Sequence, residues 1–399
     1  MRIFARNYTT EMKVCFVIES IFSFGGVQRV TAVIAKELAK TAEVTIMTFD
    51  QTDSKDTKIY GLDEANINYE FLEYPAVNRL KEKCCKAYSL MYRKVLPQCN
   101  STHALYAHSS FPSERRRMLI EHLNAQPFDA IIAVHAPIAT RIAAIRNQLR
   151  CKNLIGWIHN SFEAMFSKGS GYAGTELESY FVYQFRKLNH TVVLCQCDVS
   201  PYKQKHGFTP EVIYNPQTLT PGEPSKGTSK KFLAVGRFSR LHKGFDILIQ
   251  AFALFARSNK DWTLDIVGEG PEEESFKSLI AQSDMEGRIH IHPFTNNIQE
   301  YYSNAQVYVL SSRWEGFGLV LIEAMAHGLP VISSDLPTSK EIMGDFGMYF
   351  KNGNVEDLAR CLQEATTIDW EKKSKEALAI ANRFDVKEIV QQWKDIINH

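Results

Sequence analysis

No apolar run in the 399 residues approaches the roughly 18 needed to cross a bilayer, so the sequence offers no membrane-spanning helix. The opening MRIFARNYTTEMKVCFVIES is basic but has no apolar segment ending in a small-residue cleavage site, so no signal peptide is expected. Residues 1–11 read as a disordered extension or a misplaced start. Paired CxxC units are missing too. Eight cysteines are scattered (Cys15, Cys84, Cys85, Cys99, Cys151, Cys195, Cys197 and Cys361), and CQC at 195–197 stands alone. That pattern argues against zinc and for reduced thiols in a cytoplasmic protein. Short repeats and low-complexity tracts are lacking, and the net charge is only +1, so no nucleic-acid partner is expected. The charge is uneven: residues 1–215 are net basic and the remainder net acidic. A first domain that meets something anionic would explain this, and so would ordinary solvated surface charge.

What is present is a repeated alternation. KVCFVIE, EVTIMTF, DAIIAV, NLIGWI and TVVLC are short apolar strands separated by helical patterns such as VQRVTAVIAKELAK. That arrangement predicts an α/β domain with a parallel sheet covered on both faces. Residues 216–230, PQTLTPGEPSKGTSK, read as a linker. The alternation restarts with KFLAVGRF, WTLDIVG, RIHIHPF, AQVYVLSS and LPVISSD, predicting a second doubly wound sheet over 231–383. FDVKEIVQQWKDIINH, at 384–399, is an amphipathic helix placed after that sheet is complete. In the first half, RLKEKCCKAYSLMYRKVL reads as a basic helix with an apolar stripe. Two such domains predict a cleft, with ligands at the carboxyl ends of the strands.

The chemistry-bearing residues cluster at those strand ends. Arg237 and Lys243 follow a strand and precede a helix in GRFSRLHKGFDIL, a placement suited to a diphosphate. The chain has no DxD, the usual sequence hint of a metal-held diphosphate, so no metal is expected and these cations would neutralise a departing group themselves. Two loop charges in solvent are the plainer alternative. Glu315 precedes the glycines of GFG, and Glu323 falls in the first turns of a helix starting at Leu319. Such carboxylates can accept hydrogen bonds from sugar hydroxyls; capping and ion pairing are the bland alternatives. Gly25 and Gly26, in SFGGVQRV, lie between a strand and a helix but lack GxGxxG. IVGEGPEEE, at 266–274, lacks a third glycine as well and reads as a tight turn. His135 and His159 each follow an apolar strand and should reach the same edge of the first sheet.

Together these segments resemble the family 4 glycosyltransferases, in particular bacterial surface-polysaccharide enzymes. EGFGLVLIEAMAHGLPVISSD, with seven residues between Glu315 and Glu323, is similar to that family's E-x7-E element. VGRFSRLHKGFDILIQAF resembles its arginine–lysine segment, FSFGGVQRVTAVIAKELA its glycine loop, and YNP at 214–216 its interdomain junction. The resemblance implies a GT-B fold: two Rossmann-like doubly wound domains, 1–215 on the acceptor side and 231–383 binding nucleotide-sugar, with the last helix returning to the first. It implies metal-independent transfer of a hexose-type sugar, with retention, to a hydroxyl of a glycan or glycolipid. No resident cofactor is implied; the co-substrate is a nucleotide-diphosphate sugar, a UDP-sugar being the expected donor. Carried over position by position, Arg237 and Lys243 hold the diphosphate, Glu323 the ribose, and Glu315 the donor sugar near the reacting centre. Gly26 lies beside the diphosphate or sugar, with Phe294, Gly316, Phe317, Gly318 and Leu319 as further donor contacts. His159 lies near sugar and acceptor, with His135 beside it on the acceptor side. An anionic membrane surface is a further expected partner, making the protein peripheral on the cytoplasmic face. A sugar-nucleotide epimerase of the same fold and a non-catalytic nucleotide-sugar-binding protein are the alternative readings.

Overall fold

The computed structural model describes residues 12–398 apart from 169 and 171, with only the backbone described at 240 and 241. The expectation for residues 1–11 lies outside the described residues. The chain divides into two compact units. One runs to Leu194 and adds Asp198–Ile213 and the segment from Val386; the other holds Cys195–Cys197 and Tyr214–Asp385.

The first unit is built on a seven-stranded sheet. Its strands are β1 (Met12–Ile18), β2 (Ala42–Thr48), β3 (Ile67–Phe71), β4 (Ala130–Val134), β5 (Asn153–Trp157), β6 (His190–Val193) and β7 (Glu211–Val212). Their spatial order is β3-β2-β1-β4-β5-β6-β7, and every pairing is parallel. Five consecutive buried residues in β4 match a strand covered on both faces. Because β2 and β4 flank β1, the chain reverses its direction of travel across the sheet there. Loops after β1 and β4 therefore diverge and leave a crevice at their carboxyl ends. The last helix, Val386–Asn398, belongs to this unit: Trp393 packs edge-on to Trp157 with centroids 4.7 Å apart, and Asn153 Nδ2 donates to the carbonyls of Ile396 and Ile397.

The second unit carries β8 (Lys231–Val235), β9 (Thr263–Val267), β10 (Ile289–His292), β11 (Val307–Leu310), β12 (Val331–Ser334) and β13 (Met348–Phe350). Their order is β10-β9-β8-β11-β12-β13, again all parallel, with the reversal between β8 and β11. The core between sheet and helices is rich in aromatics, with Phe232 stacked on Trp262 at 4.6 Å and Phe252 and Phe255 beside them.

One sequence expectation changes here. Residues 216–230 form a strap fixed to the second unit rather than a free linker. Ser225 N–H donates to the carbonyl of His327 at 3.0 Å, Gly222 N–H donates to His327 Nε2 at 3.1 Å, and Ser225 Oγ donates to the carbonyl of Ala305. Pro, Gly, Ser and Thr signal the lack of a helix or strand, which is not the lack of packing. The tight turn expected in IVGEGPEEE falls at Pro271 and Glu272, where Glu273 N–H donates to Gly270 O at 3.3 Å, and the two glycines lead into it. Gly268 and Gly270 run extended beside the loop after β8, where a Cβ would come within 2.0 Å of Gly236 O and 2.5 Å of Phe238 O. Gly236 N–H donates to Val267 O and Phe238 N–H to Glu269 O, continuing the strand pairing.

Gly244, at φ +62, ends the short Arg240–Lys243 helix, and a Cβ there would meet Ser311 O at 2.1 Å. Gly353, at φ +82, has nothing within 4 Å. Gly353→Ala should therefore cost about 1 kcal/mol of stability, the ordinary left-handed penalty. Gly244→Ala should cost about 3 kcal/mol or more, because a backbone oxygen must also move. Chemical unfolding of the two variants checks the order, and equal losses would count against the contact.

Candidate active site

The loops after β8 and β11 meet at the second sheet's reversal point. Three main-chain and side-chain contacts fasten them: Ser311 Oγ donates to Lys243 O at 2.9 Å, Arg313 N–H donates to His242 O at 2.7 Å, and Gly244 lies against Ser311. Arg313 adds a bidentate pair with Asp246 at 2.9 and 3.0 Å. The outcome is that Lys243 Nζ donates to Glu315 Oε1 at 2.7 Å, with both side chains nearly hidden from water. Ser312 Oγ gives the same oxygen a second bond at 2.6 Å. Burial pushes the Glu315 carboxyl up, but the Lys243 charge, His242 and the two hydrogen bonds outweigh it, and the group is held below its usual range. His242 stacks on Trp314 at 5.6 Å, and burial keeps its imidazole below its usual value.

Arg237, two residues past the end of β8, is exposed and without an ion pair among the described residues. The glutamate loop continues through Gly316 and the buried Phe317 to Gly318, whose φ of +87 turns the chain into the Leu319–Ala326 helix. No side chain caps that helix start, so its first N–H groups remain available to an anion or hydroxyl. Glu323, only 2% exposed, accepts from Tyr302 OH at 2.9 Å and from Thr218 Oγ1 of the strap at 3.4 Å. Phe294 is exposed just after β10. Arg237, Lys243, Glu315, Gly316, Phe317, Gly318, Leu319, Glu323 and Phe294 thus share one unit, and the structure brings Lys243 and Glu315 into direct contact.

Gly26, His135 and His159 lie in the first unit. Gly26 opens the Gly26–Leu38 helix directly after the β1 loop. Tyr60 pins that loop: its hydroxyl accepts from Gly25 N–H at 2.8 Å and donates to Ser23 O at 3.0 Å. Tyr60 itself has φ +57, an uncommon conformation for an aromatic residue. His135 follows β4 with φ +81, and its N–H donates to Trp157 O at 2.9 Å, which ties it to the end of β5. His159 follows β5, with its ring 6.1 Å from that of His135 and 4.3 Å from Trp157. Burial, then the neighbouring His135, hold the His159 imidazole well below its usual value; burial alone lowers His135. Both rings are neutral near pH 7. His135 Nδ1 and His159 Nε2 are buried with no hydrogen-bond partner among the described residues, and so are Trp157 Nε1 and Asn160 Oδ1. These atoms lie at or just after the ends of β4 and β5, and a buried polar group of this kind ordinarily has a partner.

Sequence reasoning missed Tyr60, Thr218, Tyr302 and Ser312. Ser312 ends the quoted strand segment AQVYVLSS, three residues before Glu315, and could have been noticed. The other three act across long sequence separations and carry no local signal.

This geometry, two parallel sheets each with a reversal point lined by polar residues, defines a GT-B-type protein. Residues 217–383 match the family "Glycosyl transferases group 1". The chain is 26% identical over 393 residues to an uncharacterized glycosyltransferase of Haemophilus influenzae, covering 96% of this chain and 99% of that one. It is 31% identical over 147 residues to the Rhizobium meliloti lipopolysaccharide core biosynthesis mannosyltransferase LpsB, covering 35% of this chain and 41% of that one. The crystal structure of Anabaena HepE in complex with UDP and glucose superposes with a TM-score of 0.71 at 21% identity, over 97% of this chain and all of that one. The group 1 match spans the whole sheet of the second unit, from before β8 to beyond β13.

Removing one member of a buried ion pair strands the other. Lys243→Met should cost about 3 kcal/mol, and adding Glu315→Gln should recover part of it. Acid dependence separates the two states. In the wild type the carboxyl is held low, so the pair's contribution is complete above the usual carboxylate range and is lost as pH falls through the lowered value. In Lys243→Met burial acts with less opposition, so its deficit against the wild type should shrink on acidification from neutrality toward about pH 4, near the ordinary glutamate value. Urea unfolding across that range tests it; a deficit independent of pH would dissociate the pair from the titration.

Proposed function

We propose that this protein transfers a hexose-type sugar from a UDP-sugar to a hydroxyl of a glycan or glycolipid acceptor, with retention at the anomeric carbon and without a metal ion, in cell-surface polysaccharide biosynthesis at the cytoplasmic face of a membrane. The observation that carries the reading is the Lys243–Glu315 contact at the second sheet's reversal point. A cation and a carboxylate there match the two demands of sugar transfer. The leaving diphosphate gains negative charge, which Arg237 and Lys243 offset. The sugar carbon gains positive charge, which the fixed Glu315 carboxylate stabilises more in the transition state than in bound substrate. The uncapped helix start after Gly318 adds N–H donors for the donor's polar groups, and Glu323 serves the ribose hydroxyls.

Gly26 contributes beside the diphosphate or sugar. His159 and His135, neutral and with unmet hydrogen-bonding atoms, serve sugar and acceptor hydroxyls. UDP as the nucleotide is supported by the complex formed by HepE, and a surface glycan by the lipopolysaccharide role in the name of LpsB. The match to group 1 transferases favours transfer over epimerisation.

Glu323→Gln should mainly raise the donor KM, whereas Glu315→Gln should mainly lower kcat, and Arg237→Ala should cut turnover by about 100-fold. UDP release from a panel of donors, with and without acceptor and with and without a chelator, tests the whole reading. An unchanged kcat for Glu315→Gln at saturating donor refutes the division of labour. Activity lost to chelator and restored only by a divalent ion refutes the metal-free mechanism. Donor binding without turnover on any acceptor would favour a non-catalytic binding protein.

A further inference from the structure

The Arg79–Lys94 helix has two apolar faces, and only one of them is used. Its inner line, Cys85, Tyr88 and the fully buried Tyr92, packs into the first unit. Tyr92 stacks on Tyr106 of the Asn100–Ser110 helix at 4.2 Å. A second line, Leu80, Cys84, Ala87 and Met91, follows the same helical spacing about a quarter-turn around the helix, and every member is exposed. Leu90 stands beside it and Val95 extends it, and Leu105 is exposed on the neighbouring helix.

Of the eight large apolar side chains exposed among the described residues, five (Leu80, Leu90, Met91, Val95 and Leu105) lie on this one helix pair and its connection. Scattered single exposures need no explanation, but a concentration of this kind marks an interaction surface. Leu80 and Val95, near the two ends of the helix, are 72% and 77% exposed.

The charge on the same face selects the partner. Arg79, Lys83 and Lys94 are exposed and make no ion pair among the described residues, whereas Lys81 and Lys86 are paired with Glu114 and Glu82. Arg93, Lys86 and Arg115 line a groove of about 400 Å³ at the junction of the two helices, with Leu90, Cys85 and Tyr106 as its apolar walls. An apolar line flanked by cations, beside a groove with cationic walls, is the chemistry of an anionic lipid surface: acyl chains beneath, phosphate headgroups at the margin.

We infer that the outer face of the Arg79–Lys94 helix docks the first unit onto an anionic lipid bilayer, with Leu80, Leu90, Met91 and Val95 entering the interface and Arg79, Lys83 and Lys94 meeting headgroups. The inference deepens the proposed function, resting on it for the membrane-bound acceptor, and its test needs neither donor nor acceptor.

Flotation with phosphatidylcholine vesicles, alone or mixed with phosphatidylglycerol, reads the binding. The wild type should float with the mixed vesicles only, and its partition should fall about tenfold or more between about 0.05 and 0.5 M salt. Each headgroup-facing cation contributes about fivefold, so Lys83→Gln with Lys94→Gln should lower partition about 25-fold. Leu90→Ser with Met91→Ser should lower it at least comparably. All of these side chains are exposed, so thermal unfolding midpoints should be unchanged. Absent flotation on the mixed vesicles, or flotation that neither pair of substitutions alters, overturns the inference. So does concentration-dependent dimerisation abolished by Leu90→Ser with Met91→Ser, which would assign the face to a second copy of the chain. Failure of sugar transfer with intact flotation would count against the proposed function and leave the docking face standing.

Discussion

The contact between Lys243 and Glu315 sets the terms for the loops around it. A hidden carboxylate is tolerable only with a close positive charge and further donors, and the chain supplies both from two different strand ends. Meeting that demand fixes the separation of the loops after β8 and β11 to within a hydrogen bond. Gly244 is the device that allows it, since any side chain there would displace Ser311. The Gly268–Gly270 segment solves the same problem on the other flank by letting two backbones run almost in contact behind Gly236. The glycines in this region hold the loops together rather than loosening them.

The first unit solves a different electrostatic problem. Its strand ends carry neutral rings, His135 and His159, both kept neutral by burial, with His135 adding to the effect at His159. A neutral imidazole can donate from one nitrogen and accept at the other, which suits hydroxyl groups better than phosphates. The second unit concentrates formal charge at Arg237, Lys243 and Glu315. This difference separates two kinds of ligand chemistry by unit.

Much of the architecture could be read in the sequence because parallel strands buried on both faces leave an unmistakable apolar signature. All ten quoted strand segments contain strands of the two sheets. β3, β7 and β13 went unread: β3 is half-polar at a sheet edge, and β7 and β13 are only two and three residues long. The strap over 216–230 was misread because composition reports the lack of regular backbone and says nothing of His327, about a hundred residues away, to which it binds. In the site, charged and glycine positions were legible because their residue types are unusual beside buried strands. The partners that orient them are ordinary Tyr, Thr and Ser residues, distinguishable only once the fold has placed them.

The surroundings of the two glutamates explain why one segment carries both. Glu323 is engaged by hydroxyl groups of Tyr302 and Thr218, and an arriving ribose offers more of the same chemistry. On the proposed reading, its environment would change little when a donor binds. Glu315 depends on the Lys243 cation, and a diphosphate arriving at that loop competes for the same ammonium group. On the proposed reading, donor binding weakens the partnership that keeps Glu315 ionised, leaving a carboxylate short of positive charge beside the sugar. The bond-breaking step supplies that charge at the anomeric carbon, so the carboxylate's interaction improves as the bond lengthens. An interaction weaker in the ground state than at the barrier accelerates the reaction, whereas one equally strong in both only tightens binding.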